Sequence, residues 1–465
     1  MLSNSVNSLH ALSPLDGRYH SQLTELSQLF SEYALIKKRV YIEISYILFL
    51  ADQKIISSFS TPQKKLLLNL ITSFDITNAE KIKQLEKTIR HDVKAVEYYL
   101  RDFFVEHQLP NSEYIHFALT SEDINALAYS LLLQQAKQNS ILPTLKNILQ
   151  QLLSESEKFS TVPLLAKTHG QPAVPTTVGK ELFVFVDRLY QELQIVDHQV
   201  IAGKLTGAVG NLNAHKVAFP KINWLEKSRQ FVQSLGLESQ SITTQISEAE
   251  TYTRFFSSLL RINLILLDFN QDMWRYISDG VFLQKKNKAE VGSSTMPQKI
   301  NPIDFENSEG NLGLANALLI FFIQKLPISR LQRDLSDSTV KRNFGTTLGY
   351  SYLAYASLEK GLRKLELNFK KIDNELNEHW EVVAEGLQTV LKTQGLTDAY
   401  EQLKIFSRGN QLTQKNVVTF IDSLTVSAKV KNQLKCITPH TYIGYAHQLV
   451  IDNSPRIKNY LRETK

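Results

Sequence analysis

The chain has 465 residues, 43% hydrophobic and 21% charged, which is ordinary globular usage and enough for a sizeable core. Its single cysteine, Cys436, excludes an intramolecular disulfide and a cysteine-built metal cage, and fits a reducing compartment. A net charge of +6 suits either nucleic acid or small polyanions drawn into a cationic cleft; Lys and Arg are scattered rather than blocked, with no zinc-finger or RNA-recognition signature, which argues against nucleic acid.

Along the chain, Met1 to Tyr19 is polar and lacks the apolar run of a signal peptide, so a cytoplasmic protein is expected. Ile124, Leu127, Ala128, Leu131 and Leu132 recur at helical spacing, and Thr120-Ser121 followed by Glu122-Asp123 supplies a cap and first-turn acids. Pro143 is read as the start of the next helix, whose face is Leu145, Ile148, Leu149, Leu152 and Leu153. Pro163 to Pro175 holds three prolines and Gly170 within thirteen positions and excludes a regular helix. Gly203 to Asn211 is a second, glycine-rich break.

From Glu248 to about Gln284 the sequence reads as one long helix, apolar almost all round between Leu259 and Phe269, which demands burial on several sides. A polar loop from Lys285 to Pro302 follows, then helices from Ile303 to Lys325 and from about Asn343 to Lys370. The most apolar short run, Ala317 to Ile323, is too short to span a bilayer, so no membrane partner is expected. Alternating β patterns are few and there is no internal repeat. Soft boundaries near residues 111 and 365 divide the chain into parts 1–111, 112–364 and 365–465, with no Gly/Ser linker between them.

Several breaks carry chemistry. His169 in Lys167-Thr168-His169-Gly170-Gln171-Pro172 is either a fixed proton-transfer group or a loop histidine bonded to backbone. The run Gly292-Ser293-Ser294-Thr295-Met296-Pro297-Gln298-Lys299-Ile300-Asn301-Pro302 offers hydroxyls, a lysine and amides to a carboxylate near a helix start, or is a solvated loop with a cap. Arg330, Arg333 and Arg342, with Ser338 and Thr339 between, suit a phosphate or form a surface ion-pair network. His91-Asp92 and Thr120-Ser121 are weaker signals alone.

Taken in order, these motifs resemble the fumarase/aspartase superfamily, and Gly292 to Pro302 is similar to its signature loop. A closer resemblance is to the adenylosuccinate lyase family in its bacterial form. It is carried by Ser13-Pro14-Leu15-Asp16-Gly17-Arg18-Tyr19, His91-Asp92-Val93-Lys94-Ala95-Val96-Glu97-Tyr98, Thr120-Ser121-Glu122-Asp123-Ile124-Asn125, the His169 loop, Gly207-Ala208-Val209-Gly210-Asn211 and Arg333-Asp334-Leu335-Ser336-Asp337-Ser338-Thr339-Val340. The resemblance continues loosely to about residue 445.

It implies an all-α fold of three helical domains, whose central long-helix bundle forms the core of a homotetramer with active sites shared between subunits. It implies cleavage of adenylosuccinate to AMP and fumarate, and of the succinylated aminoimidazole carboxamide ribotide, without metal or cofactor. By position, His169 is the acid and Ser293 the base. Ser294, Lys299, Asn301, Thr120 and Ser121 meet the succinyl carboxylates. Arg18, Tyr19, Arg333, Ser338, Thr339 and Arg342 meet the phosphate and ribose, and Arg90, His91, Asp92, Gln245 and Asn307 complete the contacts. Arg90 stands where asparagine is common in the family, and Gln298 where histidine is frequent. Argininosuccinate lyase and fumarase are the rivals within the superfamily; their substrates carry no phosphate and need no such arginine cluster. A helical scaffold without activity, from a different class, has no need to keep Ser293, His169 and Lys299.

Overall fold

Helices carry most of the chain, as its 3.6-residue periodicity predicts. The computed structural model describes residues 8–247, 249–285, 296, 299–396, 401 and 412–463. In chain order the α-helices are α1 (Thr24–Phe30), α2 (Glu32–Asp52), α3 (Thr61–Ser73), α4 (Ile76–Ile89), α5 (Asp92–Glu106), α6 (Ser121–Ala136), α7 (Leu142–Lys158), α8 (Val178–His198), α9 (Asn213–Ala218) and α10 (Trp224–Ser234). There follow α11 (Glu250–Ser278), α12 (Ile303–Lys325), α13 (Ser336–Lys341), α14 (Phe344–Lys364), α15 (Phe369–Glu378), α16 (Ala384–Thr393), α17 (Gln414–Ser423), α18 (Ala428–Lys435) and α19 (Ala446–Glu463). Among the described residues no helix is long and apolar enough to cross a membrane.

The described residues form two compact units, one from 1–144, 194–263 and 311–354, the other from 145–193, 264–310 and 355–465. The first packs α2, α5 and α6 with the first half of α11. Its centre is a ring cluster in which Phe344 lies 5.0 Å from Phe256 and 5.3 Å from Phe322, with Leu127, Leu133, Leu259 and Leu348 buried. Each such side chain contributes about 1.5–3 kcal/mol by leaving water. A short parallel pair, β3 (Ala202–Lys204) on β4 (Glu238–Gln240), lies in the same unit. In the second unit Phe269 meets Phe185 at 5.2 Å and Phe305 at 6.5 Å, over buried Leu145, Leu149, Leu189 and Leu358.

Three sequence expectations shift. Pro143 does not open a separate helix: a five-residue π turn, Lys137–Ile141, joins α6 to α7. Proline lacks the N–H that would continue the ladder, and the Thr144 hydroxyl bonds the Ser140 carbonyl (2.8 Å). The long helix expected to reach Gln284 ends at Ser278. There Gly280, at φ +78, allows Val281 N–H to reach back to the Tyr276 carbonyl (2.9 Å), a terminating bond that only a left-handed residue permits. The helix expected to reach Lys370 ends at Lys364, because Leu365–Leu367 (β6) pairs antiparallel with Phe282–Gln284 (β5), burying Leu367 and Phe282.

The Pro163 to Pro175 break, non-helical as expected, is a β-hairpin of Pro163–Thr168 (β1) and Gln171–Thr177 (β2). Thr168 pairs with Gln171, leaving His169 and Gly170 as the two turn residues, both with positive φ (53° and 74°). A two-residue turn with that sign at both positions matches the right-handed twist of its strands.

Candidate active site

In the first unit the candidate residues gather around the starts of α5 and α6. His91 caps α5 with its ring: Nδ1 accepts the Lys94 N–H (3.1 Å), so a neutral ring carries its proton on Nε2, which lies 3.4 Å from Ser121 Oγ. Asp92 Oδ2 accepts from Arg39 Nη2 (2.7 Å) and Arg342 Nη2 (3.3 Å). Burial alone raises the pKa of this carboxyl, but the Arg39 guanidinium, the Val93 N–H and Arg342 outweigh it and hold Asp92 below its ordinary range. Arg39 is buried, and its Nε bonds Asn125 Oδ1 at 2.9 Å. Arg342 also pairs with Glu32 through Nη1 (2.9 Å).

The first turn of α6 divides its side chains among several tasks. Asp123 Oδ2 accepts the Thr120 N–H (2.9 Å). Its Oδ1 takes the N–H groups of Thr206 (3.0 Å) and Gly207 (3.2 Å) and the buried Lys204 ammonium (2.9 Å), fixing the Gly207 loop. Glu122, 2% exposed, accepts a hydrogen bond from Lys341 Nζ (2.6 Å) and forms an ion pair with Arg333 Nη1 (3.2 Å). Lys341 also meets Asp337 (2.7 Å); burial by itself lowers its pKa, but these two carboxylates raise it above the ordinary lysine value, so it stays charged. Arg333 Nη1 has a second partner in Gln245 Oε1 (3.3 Å), and Gln245 Nε2 bonds the Ala208 carbonyl (2.9 Å).

Other expected residues of this unit are not joined by those bonds. Arg18 sits 5.9 Å from the Tyr19 ring centroid in a run of tight turns. Ser338 and Thr339 lie on α13, and Arg342 follows one turn after Ser338, its N–H on the Ser338 carbonyl (3.4 Å). Arg90 ends α4 in the left-handed region, at φ 55, a conformation asparagine adopts more readily than arginine.

In the second unit His169 stands exposed at the hairpin tip, and β1 is tied to the residues ending α11 by Lys167–Asp279 (2.6 Å). Asn301 and Pro302 immediately precede α12, as expected, and Gln284 Nε2 bonds the Ile300 carbonyl (3.3 Å). Asp304 and Glu306 already place two carboxylates in the first turn of α12. Lys299 is exposed, and Asn307 accepts from the Ser357 hydroxyl (2.7 Å). Ser293 and Ser294 lie outside the described residues.

The family profile described as Lyase matches residues 17–316, and the profile described as Adenylosuccinate lyase C-terminal matches residues 329–443. An adenylosuccinate lyase from Haemophilus influenzae is 47% identical over 450 residues, covering 96% of this chain and 99% of that protein. The chain belongs to the adenylosuccinate lyase family. A Legionella pneumophila member is likewise 47% identical, over 451 residues, 96% of this chain and 99% of its own length. The crystal structure of a 3-carboxy-cis,cis-muconate lactonizing enzyme from Pseudomonas putida superposes with a TM-score of 0.77 at 17% identity, covering 94% of this chain and 97% of its own; it shares the fold.

The sequence reading did not single out Arg39, Lys204 and Lys341, which pair with the candidate residues and their neighbours, and it took Glu122 and Asp123 only as first-turn acids. Within the described cluster, the cations Arg39, Arg333, Lys341 and Arg342 face the carboxylates Glu32, Asp92, Glu122 and Asp337. An incoming anion therefore competes with carboxylates instead of meeting free cations. The ion-pair alternative is thus realised here for Arg333, engaged through Nη1, and for Arg342, engaged through Nη1 and Nη2.

Proposed function

We propose that this chain cleaves adenylosuccinate to AMP and fumarate, and the succinylated aminoimidazole carboxamide ribotide to its carboxamide ribotide and fumarate, in the cytoplasm. The observation that carries the reading is 47% identity to adenylosuccinate lyases along nearly the whole chain.

The reaction is an elimination. A base removes the proton from the succinyl carbon next to a carboxylate, the C–N bond breaks as the C=C bond forms, and the departing nitrogen takes a proton from an acid. The proton is weakly acidic, so the charge growing on the neighbouring carboxylate needs electrostatic support. His169 is the acid; its place on a two-residue hairpin turn with positive φ aims the imidazole from a short, well-defined support. Ser293 is the base, acting as an alkoxide stabilised by nearby N–H groups and cations once water is excluded. Thr120, Ser121, Ser294, Lys299 and Asn301 hold the succinyl carboxylates. Arg18, Tyr19, Arg333, Ser338, Thr339 and Arg342 hold the phosphate and ribose, and Arg90, His91, Asp92, Gln245 and Asn307 complete the site. No cofactor takes part.

The proposed assembly is a homotetramer with shared sites, and the division at residues 111 and 365 belongs to the same reading. Two helices support it. On α12, Gly310 and Gly313 have open space where a Cβ would project, and Leu314 (53%), Ile320 (45%) and Phe321 (48%) are exposed. On α11, Leu264 is 50% exposed. An apolar face of that kind calls for a partner helix.

The test is a substrate panel of adenylosuccinate, the succinylated ribotide, argininosuccinate, malate and aspartate, with fumarate release measured for the first three and interconversion with fumarate for the last two. Turnover confined to the first two is expected. Preference for argininosuccinate or malate would overturn the assignment.

A further inference from the structure

We propose that Glu122 is a positioning residue for the nucleotide phosphate: it grips one amino group of Arg333 so that the other edge of the guanidinium fork is presented to the ligand. This rests on the reading above that Arg333 binds the phosphate.

Arg333 comes from the stretch between α12 and α13, where no helix fixes its direction and Leu331 is left-handed at φ 50. Its aim must come from its side-chain partners. Glu122 is suited to set it, being buried in the first turn of a capped helix. The ion pair with Glu122 and the hydrogen bond to Gln245 both fall on Nη1, which leaves Nε and Nη2 as the pair of parallel donors that a phosphate accepts in bidentate fashion. A lone carboxylate would also cancel the charge that attracts the phosphate. Lys341 prevents this by taking the other oxygen of Glu122 at the shorter distance of 2.6 Å while remaining charged. Ser121, the preceding residue, faces His91 (3.4 Å). One helical turn therefore sets both a proposed succinyl contact and the aim of a proposed phosphate contact.

The charge-assisted hydrogen bonds that such a fork would make to a phosphate correspond to roughly 10-fold or more in binding. The experiment is a double-mutant cycle of Glu122→Gln and Arg333→Gln in the full-length protein, reading kcat and KM for adenylosuccinate and inhibition by AMP. Glu122→Gln is expected to raise KM and the AMP inhibition constant about 10-fold, with kcat within about two-fold, and to add little once Arg333 is already replaced. An unchanged or lowered KM in folded Glu122→Gln, or effects that multiply fully in the double variant, overturns the positioning role while leaving Arg333 as a ligand. If Arg333→Gln itself moves neither KM nor AMP inhibition in an active enzyme, the phosphate assignment beneath the proposal falls, and the proposal with it. Glu122→Asp keeps the charge that Lys341 needs but shortens the reach to Arg333. Should Glu122→Gln not fold, a KM rise in Glu122→Asp supports the role and an unchanged KM rejects it.

Discussion

His215 is fully buried beside Trp224, with Nε2 3.0 Å from the Tyr46 hydroxyl. Burial pushes its pKa down to about 4, against a smaller opposing pull from Asp123. An unfolded histidine titrates near 6.5, so the folded pKa is depressed and the unfolded chain binds the proton first. The stability carried by neutral His215 is full above about pH 6.5 and is lost as pH falls toward 4, on the order of 2 kcal/mol between pH 7 and pH 5. His116 works in the opposite sense: burial alone lowers its pKa, but Glu43, 2.5 Å away, raises it. Its contribution is present below about pH 6.5 and fades as pH rises through the folded value. His215→Gln keeps a polar partner for Tyr46 and leaves the His116 pair intact. The thermal midpoint of this variant should fall less between pH 7 and pH 5 than that of the wild type; an equal or steeper fall in the variant contradicts the assignment. None of this burial was legible from composition, because Glu122, Lys204 and Lys341 look like solvated charges until residues 219 positions apart are seen to meet.

At the scale of elements, what the sequence disclosed depended on periodicity. The apolar spacing in α6 and α7 and the cap at Thr120-Ser121 appear where expected. The β1–β2 hairpin was hidden because three prolines remove ladder donors and blur alternation, so the segment could be read only as non-helical. The early end of α14 depends on pairing between β5 and β6, more than 80 residues apart in sequence, which no local pattern encodes, whereas α11 ends at left-handed Gly280. Ser293 and Ser294, the centre of the most specific motif, lie outside the described residues. The open face of α12 carries its own prediction. Phe321→Glu places a charge on that face, and the proposed tetramer should dissociate in sedimentation-velocity runs while the chain keeps its helical circular dichroism. A tetramer unaffected by this change would remove α12 from the interface.

For the whole molecule, the expected site residues divide between the two units. His169, Lys299, Asn301 and Asn307 belong to one, and the arginine, His91 and Ser121 cluster to the other. In the proposed mechanism the first group supplies the proton donor and the second the anion-holding side chains, the two parts an elimination requires. In that proposed mechanism His169 delivers the proton to the departing nitrogen. The most direct measurement follows AMP and fumarate together from adenylosuccinate, with wild-type protein and with His169→Ala. Equal amounts of the two products are predicted from the wild type, with kcat at least ~100-fold lower in a folded His169→Ala. A wild-type chain that releases no fumarate, or a His169→Ala variant that turns over at close to the wild-type rate, would contradict the account.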